Sequence, residues 1–460
     1  MSNPNELYRM LPKADELIEK LVKDFPQIPV SAIKDAIHAK LAEMRAEIGS
    51  GKMTQVPEFN AICASIASLV DSGNLPSLRP VINGTGIVIH TNLGRSCLSE
   101  SAVKAVEGVA KGYSTLEYDV EKGARGSRHV HIEDLICSVT GAEAAMVVNN
   151  NAGAVLLILS ELGKGGEVIT SRGELVEIGG SFRIPEIMEA CGCTLKEVGA
   201  TNKTHVSDYE NAINERTKAL LKVHTSNYRI VGFSEEVSLS DMMELGKKYD
   251  LPVVQDLGSG CLVDLKQFGI QDEPCVQESV KAGVDLISIS GDKLLGGAQA
   301  GIILGKKDYI ARLKKHPLAR ALRVDKMTLA ALRETLYVYQ DEERAKLEIP
   351  TLSMIGAKPG LLKYKAEKLA EELTEAGFTA SVTELEDQVG GGSVPNQMLQ
   401  GYGVVIGTGR LSVDELEQKL RIRKLPIIGR INKDRYILSV RTLLEGDNQL
   451  IISALKEIFS

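Results

Sequence analysis

One lysine of the chain has neighbours that suit covalent binding of a cofactor with a carbonyl group. Lys293 comes three residues after Ser290, which ends the apolar run Leu286–Ser290. Gly296 and Gly297 follow the lysine. A lysine behind a buried strand can form a Schiff base, the serine could bind a phosphate, and the glycines let the chain turn tightly. A solvated surface lysine is the alternative, and these neighbours make it the weaker one.

A single carboxylate stands at the end of another predicted strand. Asp256 follows the apolar run Pro252–Gln255, and Gly258 and Gly260 come after it. A carboxylate that faces a pyridine nitrogen keeps this nitrogen protonated, which makes the ring an electron sink. An aspartate that only caps the next turn is the alternative.

Amide and small residues follow a third predicted strand. Asn150, Asn151 and Ala152 come shortly after the strand Ala145–Val148 and begin a predicted helix. The backbone N–H groups at the start of a helix can bind a phosphate. Alternatively, this segment is a strand–turn–helix connection with a capping asparagine.

The three features follow one another in the order phosphate loop, Asp256 and Lys293, and 37 residues separate the last two. In a parallel sheet, ligands bind at the carboxyl ends of the strands. This order resembles that of the fold-type I enzymes, and the resemblance implies pyridoxal 5′-phosphate as the cofactor. Asn227 resembles the residue that faces the 3′ oxygen of the cofactor in this fold type, and the choice between it and Ser226 stays open.

The elements around these residues predict an α/β fold with a mostly parallel sheet. Short β-branched runs alternate with helical patterns from about residue 80 to 325, which is typical of a parallel sheet covered on both faces. The predicted strands are Ala145–Val148, Glu167–Thr170, Ala219–Val223, Pro252–Gln255, Leu286–Ser290 and Gly301–Leu304. We therefore expect a large cofactor-binding domain at residues 76–330.

Two further regions flank this domain. Residues 1–75 are predicted to form a helical module, because apolar residues recur there at helical spacing. The clearest series is Ile33, Ile37, Leu41, Met44 and Ile48. Residues 331–460 are predicted to form a linker helix and a small C-terminal α/β domain, and a long helical stretch is predicted at residues 326–346.

The composition limits the classes of function. The net charge is −7, whereas a protein that coats a long stretch of nucleic acid is normally basic, so any nucleic-acid contact must be local. The seven cysteines form no CxxC pair, so we expect neither a disulfide framework nor a metal site. The chain shows no leader pattern and no long apolar run, and we expect a soluble, cytoplasmic protein.

The residues around Lys293 resemble those of one family within the fold type. The stretch from Ser290 to Gly301 is similar to the lysine motif of the bacterial selenocysteine synthases, the L-seryl-tRNA(Sec) selenium transferases. Other similar stretches are Asn83–Gly86, His90–Ser96, Gly123–Arg128, Val147–Asn151, Asp256–Gly260, Gly390–Ser393, Ile428–Arg430 and Val440–Thr442. The resemblance covers nearly the whole chain, which departs from the family pattern at Ala298 and after Pro395.

This resemblance implies a reaction on an aminoacyl-tRNA. Seryl-tRNA(Sec) would be converted to selenocysteinyl-tRNA(Sec) with selenophosphate, by β-elimination to an aminoacrylyl intermediate and addition of selenium. Lys293 would remove the Cα proton, and Asp292 could steer a proton or hold an arginine. The resemblance also implies that the helical module contacts the tRNA. It further implies a homo-oligomer of dimers, for which a decameric ring is one form.

Arginines are the expected ligands of selenophosphate, because their planar guanidinium groups donate charge-assisted hydrogen bonds to anions. Arg95, Arg320 and Arg323 are candidates, since the resemblance implies an anion site near the cofactor at such positions, and Arg128 could bind phosphate or tRNA. Arg320 and Arg323 are predicted to share one face of a helix, and a solvated helix face is the alternative. For Arg128 and its neighbour Arg125, a structural ion pair with Glu121 or Glu133 is an equally good explanation.

Two other functions fit part of the sequence. A fold-type I lyase or aldolase that acts on a free amino acid or amino sugar would keep Lys293 and Asp256. It would need an arginine for the substrate carboxylate, for which Arg430 is available, and it would not need the helical module. A non-catalytic tRNA-binding protein would not need Lys293 or the residues around it.

Overall fold

The structure, a computed structural model, describes residues 4–73, 75–178, 182–395 and 397–460. The chain divides into two compact units. The first comprises Met1–Ile82 and Asp414–Ile428, and the second comprises Asn83–Val413 and Gly429–Ser460. Residues 1–3 and Asn74 of the predicted helical module lie outside the described residues. The predicted limits at residues 75 and 330 stay predictions, and the second of them falls inside the second unit.

The described residues form helices and strands along the whole chain. The α-helices are α1 (Pro4–Met10), α2 (Ala14–Asp24), α3 (Val30–Gly49), α4 (Phe59–Gly73), α5 (Glu100–Ala110), α6 (Glu133–Thr140), α7 (Asn151–Leu162), α8 (Ile184–Ala190), α9 (Val206–Ala212), α10 (Leu239–Tyr249), α11 (Val276–Lys281), α12 (Lys307–Lys315), α13 (Pro317–Ala321), α14 (Lys326–Val338), α15 (Glu342–Glu348), α16 (Pro350–Ile355), α17 (Pro359–Glu375), α18 (Val413–Arg421) and α19 (Asp447–Phe459). The strands are β1 (Ile82–Asn83), β2 (Tyr118–Asp119), β3 (Ala124–Arg125), β4 (Ala144–Val148), β5 (Glu167–Ser171), β6 (Glu177–Ile178), β7 (Phe182–Arg183), β8 (Thr194–Val198), β9 (Thr217–Val223), β10 (Val253–Gly258), β11 (Leu286–Ser290), β12 (Gly301–Gly305), β13 (Ala380–Gln388), β14 (Met398–Ile406), β15 (Ile427–Ile428), β16 (Arg430–Ile431) and β17 (Tyr436–Ser439).

The first unit is built on the helices α1–α4. The five apolar residues predicted to share one face of α3 are all buried. They pack with Leu17 and Leu21 of α2 in one hydrophobic core. Burying a side chain of this size contributes about 1.5–3 kcal/mol, so the apolar faces hold these short helices together. The predicted helical start of the chain is confirmed.

The second unit is built on a seven-stranded sheet with the order β4-β12-β11-β10-β9-β5-β8. Strands β8, β5, β9, β10 and β11 run parallel to one another, and β12 is antiparallel to both of its neighbours. The six predicted strands are all present, and the mostly parallel sheet is confirmed. Strand β8 was not predicted, because it lies at the edge of the sheet and most of its residues are not buried.

Strands β11 and β12 form an antiparallel pair in which Ser290 lies opposite Gly301. The connection between them, residues 291–300, contains Lys293. Strand β12 also pairs with β4, so that Gly301 lies opposite Val148. This register brings the lysine turn next to the segment that follows β4, where the predicted phosphate loop begins.

The second unit also contains a four-stranded antiparallel sheet with the order β13-β14-β17-β16. The helical stretch predicted at residues 326–346 consists of two helices rather than one linker helix. Helix α14 ends at Val338, and α15 begins after Asp341, whose side chain accepts a hydrogen bond from the N–H of Arg344. This capping arrangement starts a new helix. Within the described ranges, no helix has the length and apolar character needed to cross a membrane.

Candidate active site

Lys293 is buried in the turn between β11 and β12. Ser96 Oγ lies 2.8 Å from the carbonyl oxygen of Asp292 and 2.6 Å from that of Lys293, and the N–H of Leu294 donates to Ser259 O at 3.0 Å. Burial lowers the pKa of the Lys293 amine, and the charge of Asp256 partly offsets this effect. A lysine with a lowered pKa is a better nucleophile and proton acceptor near neutral pH.

Asp256 lies in β10 and is buried. Its Oδ1 accepts a hydrogen bond from Asn151 Nδ2 at 2.8 Å and from Ser288 Oγ at 3.1 Å. Burial raises the pKa of this carboxyl group, whereas the hydrogen bond from Asn151 and the charge of Lys293 lower it. A buried carboxylate held in this way is stabilised by a cation placed against it, as a protonated ring nitrogen would be.

Lys293 and Asp256 face the same space beside Gly258. A Cβ on Gly258 would lie 3.8 Å from Asp256 Oδ1 and 3.9 Å from Lys293 Nζ. The two residues that the sequence predicts as cofactor anchor and ring partner are therefore brought together by the ends of β10 and β11. The absence of a side chain at residue 258 leaves the space between them open.

The predicted phosphate loop adjoins this space. Asn150 caps α7, since its Oδ1 accepts a hydrogen bond from the N–H of Gly153 at 2.8 Å. The first N–H groups of a helix have no partner within it, so those at the start of α7 can bind a phosphate. Ser290 ends β11, is buried, and makes no side-chain hydrogen bond within the described part of the chain. Asn150 thus shapes the loop, whereas Asn151 contacts Asp256.

The structure separates the two candidates at residues 226 and 227. Ser226 is buried, and its Oγ has no hydrogen-bond partner among the described residues. A Cβ on Gly392 would lie 3.8 Å from Ser226 Oγ and 3.6 Å from Lys293 Nζ. Asn227 donates its side-chain N–H to Glu177 O at 2.8 Å. Ser226 Oγ and Lys293 Nζ therefore both approach Gly392, and the side chain of Asn227 is engaged elsewhere.

Several buried polar atoms around Lys293 have no partner in the described ranges. They are Asn151 Oδ1, Ser226 Oγ, Ser259 Oγ and Ser393 Oγ. Buried polar groups are normally hydrogen-bonded, so a cluster of unpaired ones suits a bound group that supplies the partners. These atoms, the Lys293 amine and the start of α7 fit pyridoxal phosphate.

Three of the four predicted substrate arginines, Arg95, Arg128 and Arg323, are paired with carboxylates. Arg95 Nη1 contacts Asp292 Oδ2 at 2.8 Å, which realises the prediction that Asp292 could hold an arginine. Arg128 is buried and donates through Nε and Nη2 to Glu117 Oε1 at 3.1 and 2.6 Å. Its third hydrogen bond goes to the carbonyl oxygen of Val324. The predicted ion pair with Glu121 or Glu133 is wrong for Arg128, because the β2–β3 hairpin places Glu117 beside it.

Arg320 and Arg323 do not share a helix face, and that prediction is wrong. Helix α13 ends at Ala321, and Arg323 instead forms a β-bridge with Val148 at the end of β4. Arg323 Nη1 lies 3.7 Å from Glu117 Oε1, and Arg125 Nη2 lies 3.2 Å from Glu117 Oε2. Three arginines, counting Arg128, thus share one carboxylate and leave an excess of positive charge. Arg320 is exposed and has no ion-pair partner within the described residues.

Arg430, the arginine available for a free carboxylate, is engaged within the protein. Its guanidinium group binds Asp387 Oδ1 and the carbonyl oxygens of Thr85 and Glu386. Arg441 Nε contacts the other oxygen of Asp387 at 2.9 Å. Burial raises the pKa of Asp387, and the charges of the two arginines lower it. Asp387 was not among the predicted site residues, because a single carboxylate in a strand carries no local signal of such a network.

Sequence comparisons place the whole chain among known proteins. The family model described as L-seryl-tRNA selenium transferase matches residues 81–444. The L-seryl-tRNA(Sec) selenium transferase of Caldanaerobacter subterraneus subsp. tengcongensis is 49% identical over 456 residues, which cover 98% of each chain. That of Maridesulfovibrio salexigens is also 49% identical and covers 100% of each chain. That of Geobacter sulfurreducens, again 49% identical, covers 99% of this chain and 100% of its own.

A comparison of structures agrees on the fold. D-glucosaminate-6-phosphate ammonia-lyase is similar with a TM-score of 0.56, over 83% of this chain and 96% of that chain. Its sequence identity is 21%, so the similarity concerns the fold alone. Among the described residues, no cluster of three or more His, Cys, Asp or Glu side chains could hold a metal ion.

Proposed function

Because the chain belongs to the L-seryl-tRNA selenium transferase family, we propose that Lys293 and Asp256 carry the reaction of this family. The protein is a pyridoxal phosphate-dependent enzyme that converts seryl-tRNA(Sec) to selenocysteinyl-tRNA(Sec). The observation that supports the residue roles is the common approach of Lys293 Nζ and Asp256 Oδ1 to Gly258, within 4 Å of the same point.

The cofactor, when bound, withdraws electrons from the Cα of the amino acid joined to it, so that the Cα proton becomes acidic and a β-substituent can leave. Lys293 would bind the carbonyl carbon of the cofactor and, once displaced by the substrate amine, take the Cα proton at its Nζ. Asp256 would hold the proton on the ring nitrogen. Ser290, with the N–H groups of Asn151 and Ala152, would bind the phosphate, and Ser226 would face the 3′ oxygen.

Selenophosphate would be bound by the arginines at the edge of this site. Arg128 and Arg323 contact Glu117 together with Arg125, so that one negative charge meets three positive ones. An excess of guanidinium groups suits a small anion with several charges. Arg95 would join them, held beside the lysine by Asp292, and Arg320 would contribute from α13.

A lyase or aldolase for free amino acids or amino sugars would need an arginine for the substrate carboxylate, and Arg430 is not free for this role. Arg430 is bound to Asp387, to Thr85 O and to Glu386 O. A free substrate carboxylate would therefore have to displace an internal carboxylate. This arrangement favours a substrate whose carboxyl group is esterified.

We also propose the partners and the setting of the enzyme. The helices of the first unit would bind the tRNA, because the relatives act on a tRNA and a small-molecule enzyme does not need this module. The chains would form a homo-oligomer of dimers in the cytoplasm, for which a decameric ring is one form. Sedimentation of the purified protein as a monomer would contradict the assembly, and recovery in another cell fraction would contradict the location.

Purified enzyme with seryl-tRNA(Sec), selenophosphate and pyridoxal phosphate tests the function directly. We expect the amino acid released from the tRNA to be selenocysteine, identified by mass spectrometry. Serine alone in the product, with the tRNA bound and the cofactor loaded, would contradict the proposal.

In the same experiment, protein that lacks residues 1–75 should bind the tRNA more weakly while keeping the absorption band of the cofactor.

A further inference from the structure

The turn that follows β13 has an unusual backbone. Gly390, Gly391 and Gly392 have φ angles of 79°, 64° and 73°, in the left-handed region that favours glycine. A Cβ on Gly391 would lie 2.3 Å from Ile89 O, so no other residue fits without a shift. A Cβ on Gly392 would lie 3.6 Å from Lys293 Nζ. The three glycines thus carry the main chain across Ile89 to the lysine amine.

This turn carries hydrogen-bond donors without acceptors. No N–H group of the segment Gly390–Ser393 donates a hydrogen bond within the described ranges. Ser393 is 3% exposed, and its Oγ has no partner there either. Successive backbone N–H groups in such a turn form a concave site for an oxygen that carries negative charge. The turn therefore offers neutral donors to an oxygen atom near Lys293.

Arg430, the arginine available for a substrate carboxylate, and Arg441 are already paired with one carboxylate. Arg441 is bound to Asp387 at 2.9 Å, and Arg430 binds the same carboxylate. A free amino acid brings a carboxylate, which needs a cation or charge-assisted donors. An aminoacyl ester brings a neutral carbonyl group, for which neutral donors are sufficient.

We propose that the turn Gly390–Ser393 binds the ester carbonyl oxygen of the seryl group and so selects an esterified serine over free serine. The proposal rests on the function proposed above, whose substrate is an aminoacyl ester. The same donors stabilise the negative charge that develops on this oxygen when Lys293 takes the Cα proton. Ser393 is then a specificity residue. Asp387 contributes indirectly to this specificity, because it neutralises Arg430 and Arg441.

The test uses the enzyme loaded with pyridoxal phosphate and two small probes, L-serine methyl ester and L-serine. Binding of each probe is measured as a dissociation constant from the change in the absorption spectrum of the cofactor. We expect the ester to bind more tightly to the unchanged enzyme. In Ser393→Ala, loss of one hydrogen bond should weaken ester binding about fivefold and leave serine binding unchanged.

Two further variants accompany this experiment, one as a control and one as a second test. Ser381→Ala removes an exposed serine of β13 and should change neither constant. Gly392→Ala places a methyl group 3.6 Å from Lys293 Nζ and should weaken ester binding more than Ser393→Ala does. Thermal unfolding of each variant shows whether it is folded, and L-serinamide serves as a second probe with a neutral carbonyl group.

The outcomes separate this proposal from the proposed function. Equal affinity for ester and free serine, or equal weakening of both by Ser393→Ala, would overturn the role of the turn. If selenium transfer to seryl-tRNA(Sec) persists in that case, the function stands. If the ester preference is found but no selenocysteine forms on the tRNA, the proposed function fails and the turn keeps its role.

Discussion

Two buried charged groups of the second unit, Lys293 and Asp387, differ in whether other residues of the protein pair with them. Lys293 Nζ makes no hydrogen bond or ion pair within the described residues, and unpaired atoms such as Ser226 Oγ surround it. Asp387 binds Arg430 and Arg441 and accepts a further hydrogen bond from Ser439 Oγ at 3.2 Å.

The difference separates a reactive site from a structural one. A buried polar group without a partner costs free energy, so a protein keeps it where a ligand will supply the partner. A buried carboxylate with two arginines and a hydroxyl group is satisfied without a ligand. From this comparison we expect changes at Lys293 to abolish the reaction without unfolding the protein. We expect changes at Asp387 to act mainly by lowering the stability of the protein.

The largest effect is expected for Lys293→Ala. Loss of the cofactor anchor and of the proton acceptor should lower the rate of selenium transfer at least about a thousandfold, measured in the tRNA assay. Without added cofactor, the midpoint of thermal unfolding should equal that of the unchanged cofactor-free protein, because the amine makes no hydrogen bond or ion pair within the described chain. Lys365→Ala, at an exposed position of α17, is the matched control. Retention of a tenth of the activity would show that another group does the work of Lys293.

The next effect is expected for Asp387→Ala, on stability. Removing the carboxylate leaves the buried guanidinium group of Arg441 without its partner, which should lower the free energy of unfolding by about 3–5 kcal/mol. Glu348→Ala, which breaks the exposed pair with Arg344 in α15, should cost less than about 1 kcal/mol. Denaturant titration measures both. Equal, small losses of unfolding free energy in both variants would mean that the network at Asp387 is not structural. The contrast with Lys293 would then be wrong.

The smallest effect is expected for Arg320→Gln, which sharpens the comparison. This exposed arginine has no ion-pair partner within the described ranges, so its removal should leave the unfolding midpoint unchanged. Loss of one charge-assisted contact to selenophosphate should reduce selenium transfer about tenfold. Steady-state rates at varied selenophosphate and tRNA binding by filter retention distinguish the two substrates. A matching loss of tRNA affinity would instead assign Arg320 to the RNA.

The sequence predicted the parts of the site that depend on local order. Lys293 and Asp256 each follow an apolar strand, and in a parallel sheet the strand ends meet at one edge. The structure brings both residues to Gly258, as this rule requires. The capping role of Asn150 was already among the alternatives, because asparagine is a favoured cap at the start of a helix.

Other parts depend on contacts between distant segments and were not predictable. Whether Ser226 or Asn227 faces the lysine depends on the direction of two adjacent side chains after β9, which periodicity does not determine. Glu117 is the partner of Arg128 because Tyr118 lies opposite Arg125 in the β2–β3 hairpin. The glycines at 390–392 were noted only for their family resemblance, since their approach to Lys293 arises from the fold.

The network around Asp387 also sets an order of events during protein synthesis. The N–H of Gly86 donates to Thr442 Oγ1, and these residues are 356 positions apart in the chain. The N–H of Ser439 likewise donates to Gly84 O at 2.7 Å. At the usual pace of translation, the segment at Gly84–Gly86 leaves the ribosome roughly 20–70 seconds before its partners. The second unit therefore cannot close until Ser439 and Thr442 have left the ribosome, and a nascent chain must keep the segment at Gly84–Gly86 from pairing wrongly in the meantime.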